Sequence, residues 1–150
     1  MKPVMQSICD KGKGDCLRAC VASLLELEIE QVPHFIRFGN WHGALTYFLA
    51  AFGIQFNGTG RLVEGRVPEL EDTVAGLIIA TVPSLNFENT AHVVLADSDG
   101  CVVHDPSPHL TYHKGRNLVQ ENILSSWMLL QENVNEPILF AEKLKIGDTK

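Results

Sequence analysis

Cys16, His92 and Asp105 supply, in that order, a nucleophile, a base and a group to orient the base. A thiolate is the attacking form of cysteine, and it needs a neighbour to take and return its proton. Cys16 follows Asp15 and opens the run Cys16-Leu17-Arg18-Ala19-Cys20-Val21-Ala22-Ser23-Leu24-Leu25-Glu26-Leu27. Apolar residues recur there at three- and four-residue steps, which predicts an amphipathic helix with Asp15 as its N-cap. Unpaired N–H groups and the positive end of the helix dipole then lie beside the sulfur and favour a negative charge on it. Lys11 and Lys13 are close in sequence and add positive charge.

Histidine, with an unperturbed pKa near 6.5, suits the exchange of the thiol proton at neutral pH. Ala91-His92-Val93-Val94-Leu95-Ala96 reads as a strand, Asp97-Ser98-Asp99-Gly100 as a tight turn, and Cys101-Val102-Val103-His104-Asp105 as the returning strand, stopped by Pro106. His92 opens one arm of this hairpin and Asp105 ends the other. Paired strands lie about 4.8 Å apart, so the carboxylate can hold the imidazole if both face one side. A one-residue slip in register would exchange the faces of His104 and Asp105 and break the set. Acyl transfer also needs donors for an oxyanion. The Cys16 N–H is one, and Gln6, the only glutamine before Cys16, offers a side-chain amide as the second.

The remaining chemistry-bearing residues have plainer readings. Cys20 lies one turn below Cys16 and reads as core rather than as a resolving thiol. Cys9 and Cys101 read as packing or loop residues. His104 should face away from Asp105 and be structural or exposed. His34 and His42 read as satisfied surface histidines, with a cleft lining as the sharper alternative, and His109 and His113 as exposed loop residues. Zinc on Cys9, Cys16, Cys20 and a histidine is disfavoured, because the paired short Cys-x-x-Cys spacing is missing. Gly12-Lys13-Gly14 lacks the strand and the Lys-Ser/Thr end of a phosphate loop. Glu26, Glu28 and Glu30 read as a solvated face. No cofactor is implied.

The elements that must position these residues follow from the pattern. Glu28 to Val32 reads as a helical turn stopped by Pro33, and Gly43 to Phe52 as a second helix ended by Gly53. Residues 57–73 read as loop and Val74 to Val82 as a buried strand. Residues 107–117 read as loop, Asn122 to Leu130 as helix or strand, and Ile138 to Leu144 as a final strand in which Ile138-Leu139-Phe140 is core or interface. Helices first and a mostly antiparallel sheet afterwards make the class α+β.

At 150 residues the chain reads as one domain, and it can bury roughly 70% of its unfolded surface. A hydrophobic content of 45% excludes a disordered tail. The net charge of −6, with 12 scattered basic residues, argues against nucleic acid as partner. Apolar runs such as Ala75-Gly76-Leu77-Ile78-Ile79-Ala80 are far short of the roughly 20 residues that cross a bilayer, and the first residues lack a secretory pattern. The expected location is therefore cytoplasmic, where thiols stay reduced.

Gln6, Asp15-Cys16 at a helix start, Ala91-His92-Val93-Val94 and His104-Asp105-Pro106 together resemble the papain-like cysteine peptidases. The nearest pattern is that of the bacteriocin-processing peptidases that cut after a double-glycine leader, and of their stand-alone bacterial and phage relatives. The resemblance covers most of residues 1–108. It implies a single papain-like domain over 1–150, with a helix carrying the cysteine packed on an antiparallel sheet carrying the histidine and the aspartate. It implies Cys16 as nucleophile, His92 as base, Asp105 as orienter and Gln6 as oxyanion donor.

The expected function is thus a cysteine-dependent acyl-transfer enzyme: a peptidase, deamidase or deconjugating hydrolase acting on a peptide or protein. The alternative is a binding or inhibitor protein on the same scaffold, for example a phage-encoded anti-defence protein that holds a partner protein or a small ligand in its cleft.

Overall fold

A computed structural model of the chain describes residues 1–9, 14–58, 73–84, 90–97, 99–108 and 125–131. Two helices precede a five-stranded antiparallel sheet, an α+β arrangement. Helix α1 spans Cys16–Leu25, and α2 spans Trp41–Ala50. Between them lie two 3-10 turns, Ile29–Gln31 and Phe35–Arg37. The strands are β1 (Ile54–Gly58), β2 (Thr73–Pro83), β3 (Ala91–Ala96), β4 (Val102–His104) and β5 (Ser125–Gln131). Their order across the sheet is β1-β5-β2-β3-β4.

Helix α1 is the hub of the core. Leu17, Ala19, Cys20, Val21, Ala22, Ser23, Leu24 and Leu25 are all buried, so the helix is apolar nearly all round, as an enclosed helix must be. It ends where Glu26 turns left-handed (φ 56°) and the Leu27 N–H donates to Ala22 O. Leu17, Val21, Leu24 and Leu25 share one cluster with Phe35, Leu45, Leu49, Phe52, Ile79 and Leu95. A second cluster gathers Ile78, Ala80, Val82, Val94, Ala96 and Val102. Neighbouring residues of β2 and β3 thus divide between two cores, as the period of two requires of a sheet buried on both faces.

Several boundaries differ from those read in the sequence. Helix α2 begins two residues before Gly43, because the Asn40 side chain accepts from the Gly43 N–H at 3.0 Å and caps it there. A Cβ on Gly43 would stand 2.6 Å from Asn40 Nδ2, so the cap and the glycine require one another. Gly53, at φ +70°, makes the turn out of the helix. Strand β1 claims Asn57 and Gly58 from the expected loop, since five consecutive backbone pairings to β5 outweigh their poor strand propensity. The described part of the segment from Asn122 is strand, and Phe35–Arg37 adds a turn that the sequence did not suggest. Lys11, Lys13, His109, His113 and the expected strand from Ile138 lie outside the described residues. Among the described residues, no helix is long and apolar enough to cross a membrane.

Candidate active site

The hairpin of β3 and β4 forms as its sequence suggests. Asp97 Oδ1 accepts from the N–H groups of Asp99 and Cys101, at 2.9 and 3.0 Å, and Gly100 takes φ +82°. His92 is the second residue of β3, and Asp105 is the first residue after β4. Their side chains meet, with Nε2 and Oδ1 2.6 Å apart. Asp105 is 3% exposed, and its Oδ1 also accepts from the Ser107 N–H at 3.0 Å. The imidazole is therefore held by an acceptor that is itself fixed.

The side chain of Cys16, the first residue of α1, lies close enough to His92 to act on its imidazole. With Nε2 on the carboxylate, the nitrogen left for the sulfur is Nδ1. Burial alone would push the imidazole pKa down. The hydrogen bond to Asp105 first, then the proximity of Cys16, overcome it and raise the pKa to about 9. His92 thus keeps its second proton at neutral pH. Three residues separated by up to 89 positions in sequence form one contiguous chain: sulfur, imidazole, carboxylate.

Gln6 belongs to a strap of chain, residues 2–8, that runs between α1 and the exit of β4. Lys2 N donates to Ser23 O, Val4 N to Ser23 Oγ, and Gln6 N to Pro106 O. His104 is buried on the same strap, with Nε2 donating to Val4 O at 2.8 Å. The Gln6 Nε2 donates to Ile8 O at 2.9 Å, and the same oxygen accepts from Asp15 N at 3.2 Å. Gln6 is thereby placed beside the backbone that leads into Cys16. As the first helical residue, Cys16 has an N–H with no acceptor within the helix.

Asp15 occupies the N-cap position, yet its side chain does not cap the helix. It is fully buried and turns instead to the strap, where it accepts from Ser7 N, Ser7 Oγ and Ile8 N at 2.8, 2.7 and 2.8 Å. The expected cap loses because these three donors together meet the buried carboxylate, whereas a cap bond would give it one. Arg18 Nη1 stands 3.5 Å from Asp15 Oδ2, and Arg18 Nε donates to Val32 O. Asp15, Ser7, Arg18 and Ser107 were not singled out as site residues from the sequence. The one available signal was a carboxylate directly before the nucleophile.

Cys20 is buried, with its thiol on Val93 O at 3.5 Å. Burial first, then the charges of Cys16 and Asp105, push its pKa up. Cys9, Cys16 and Cys101 are half-buried, and all four cysteines carry thiols rather than disulfides. His34, the residue that leads into the Phe35–Arg37 turn, is buried rather than on the surface. Among the described residues, no group of three or more His, Cys, Asp or Glu is gathered as a metal site. No family model, no curated protein and no solved structure matches the chain.

Proposed function

We propose that the chain is a cysteine-dependent acyl-transfer enzyme of papain-like type, acting on an amide, isopeptide or thioester carbonyl of a peptide or protein. The observation that carries this reading is the His92 imidazole held between Asp105 Oδ1 and the Cys16 sulfur. In the proposed reaction, Cys16 attacks the carbonyl carbon as the thiolate. The carbonyl oxygen takes the negative charge and is met by the Cys16 N–H and the Gln6 amide. His92 gives its proton to the leaving group as the carbon–leaving-group bond breaks, and a thioester on Cys16 remains. Water or an amine, deprotonated by His92, then attacks the thioester and restores the thiolate and imidazolium pair. Water gives a peptidase, deamidase or deconjugating activity, and an amine gives transfer.

Asp105 holds the ring so that Nδ1 faces sulfur, and its charge compensates the imidazolium in a site where burial would otherwise disfavour it. The order of these residues and their similarity to the papain-like pattern support the same reading. The experiment is selective alkylation followed by mapping of the labelled peptide. Iodoacetamide at pH 7 labels Cys16 far faster than Cys9, Cys20 or Cys101 if the reading holds. Equal labelling of the accessible cysteines overturns it.

A further inference from the structure

We infer that Asp15 is a positioning residue: its carboxylate ties the segment that carries the Gln6 amide to the first turn of α1, and so sets the oxyanion donors against Cys16. The inference rests on the acyl-transfer reading. A fully buried carboxylate is costly unless its lone pairs are met. Here its three shortest bonds all go to Ser7 and Ile8 rather than to the helix it precedes.

Those bonds fix Ile8, and the Ile8 carbonyl in turn gathers two donors, Gln6 Nε2 and Asp15 N. Two nitrogens bonded to one oxygen are at most about 6 Å apart. The amide next along from Asp15 N is the Cys16 N–H. The Gln6 amide therefore stands by the nucleophile only while Ile8 is held, and Asp15 holds it. Arg18, anchored on Val32 O, brings its Nη1 to 3.5 Å from the same carboxylate. The bonds of Asp15 run to Ser7, Ile8 and Arg18, whereas the imidazole bonds Asp105 and lies close to Cys16, so two functions of the site separate. Asp105 and His92 serve proton transfer, whereas Asp15 serves oxyanion geometry.

Two probes divide these functions. Iodoacetamide alkylates sulfur by displacing iodide at a saturated carbon, and no oxyanion forms. With p-nitrophenyl acetate, the thiolate attacks the ester carbonyl through an oxyanion, p-nitrophenolate leaves and an acetyl thioester remains on Cys16. Asp15→Ala is expected to alkylate at Cys16 within about twofold of the unaltered chain, with the same pH profile, while its acylation falls by about 100-fold, the scale of a lost oxyanion donor. Asp15→Asn keeps an acceptor for Ser7 N and Ile8 N, and can donate to Ser7 Oγ, so it restores most of the acylation. Because Asp15 acts through Gln6, Asp15→Ala adds no further loss to Gln6→Ala.

If Asp15→Ala does not fold, Ser7→Ala carries the test. It removes one bond to the carboxylate and should slow acylation several-fold with alkylation unchanged. Equal slowing of both probes, or additive losses in the double variant, overturns the inference while leaving the acyl-transfer reading in place. Failure of Cys16 to react selectively in the unaltered chain overturns both.

Discussion

His104 stands directly opposite Leu95, although Val102 stands opposite Ala96, so Val103 is an extra residue in β4. The consequence reaches the candidate site. Counting by twos from Leu95 puts His92 on the face away from it, and counting one step from His104 puts Asp105 on that same face. In a regular pairing, Val103 would meet Leu95 and His104 would meet Val94. His104 would then share the face of His92, and Asp105 would point the other way. The bulge makes the one-residue shift that brings the carboxylate to the imidazole. It also sends His104 toward the strap, where Val4 O accepts its proton.

The first prediction concerns that carboxylate. Asp105→Asn keeps an oxygen for His92 Nε2 and for Ser107 N, but removes the charge that helps hold the imidazole proton. Acylation should fall by about tenfold and its alkaline limit should move down in pH, whereas Asp105→Ala should cost 100-fold or more, the usual range for a lost acid–base contribution. The measurement is the pH profile of p-nitrophenyl acetate acylation at Cys16 for the three chains. An unchanged alkaline limit in Asp105→Asn would show that Asp105 does not govern the His92 proton.

Much of this geometry was legible because it is local or periodic. The bounds of β3 match the sequence reading, and the start of α1 at Cys16 follows from the apolar run after Asp15. That His92 and Asp105 lie near one another follows from the ends of one hairpin, whereas their shared face depends on the register shift in β4. The bulge at Val103 left no trace, because Val102 and Val103 are equally good strand residues and only the tertiary demands on His104 and Asp105 choose between registers. The use of Asp15 was also hidden. An aspartate before a helix suits a cap by local chemistry, and nothing in the sequence says that residues 7 and 8 return to it. β1 was missed for a related reason: Asn57 and Gly58 are weak strand formers that pair only because β5, over 60 residues later, lies alongside.

His104 should matter for stability rather than for chemistry. It is 5% exposed and its Nε2 is the donor to Val4 O. His104→Leu keeps an apolar body but leaves that carbonyl without its donor, which costs about 1–3 kcal/mol. Urea unfolding should show the midpoint lowered, while folded protein retains its rate of Cys16 alkylation. A large loss of alkylation at full folding would give His104 a place in the proton-transfer chain.

Cys20 offers a control for thiol reactivity. It shares a helix face with Cys16, yet its thiol is enclosed and donates to Val93 O. Burial and the neighbouring charges hold it in the protonated, unreactive form at neutral pH. Iodoacetamide should reach Cys20 only as the protein unfolds, with a labelling rate that rises with urea in step with global unfolding. Cys20→Ala should cost about 1 kcal/mol for one lost sulfur atom in the core and leave Cys16 labelling unchanged. Rapid native-state labelling of Cys20 would contradict its enclosure.

The raised pKa of His92 also fixes how stability depends on pH. The imidazole pKa is about 9 in the folded chain, against an ordinary value near 6.5 once the chain unfolds. A group whose folded pKa is the higher binds its proton more tightly in the native state. Its contribution is therefore complete below about pH 6.5 and is lost as pH rises through about 9. For a shift of this size the contribution is on the order of 3 kcal/mol. Urea midpoints measured from pH 6 to pH 10 should fall across that window. His92→Gln can still donate to Asp105 but cannot titrate, so this component of the fall should vanish in the variant. A variant curve that falls as steeply as that of the unaltered chain would place the alkaline sensitivity in another group.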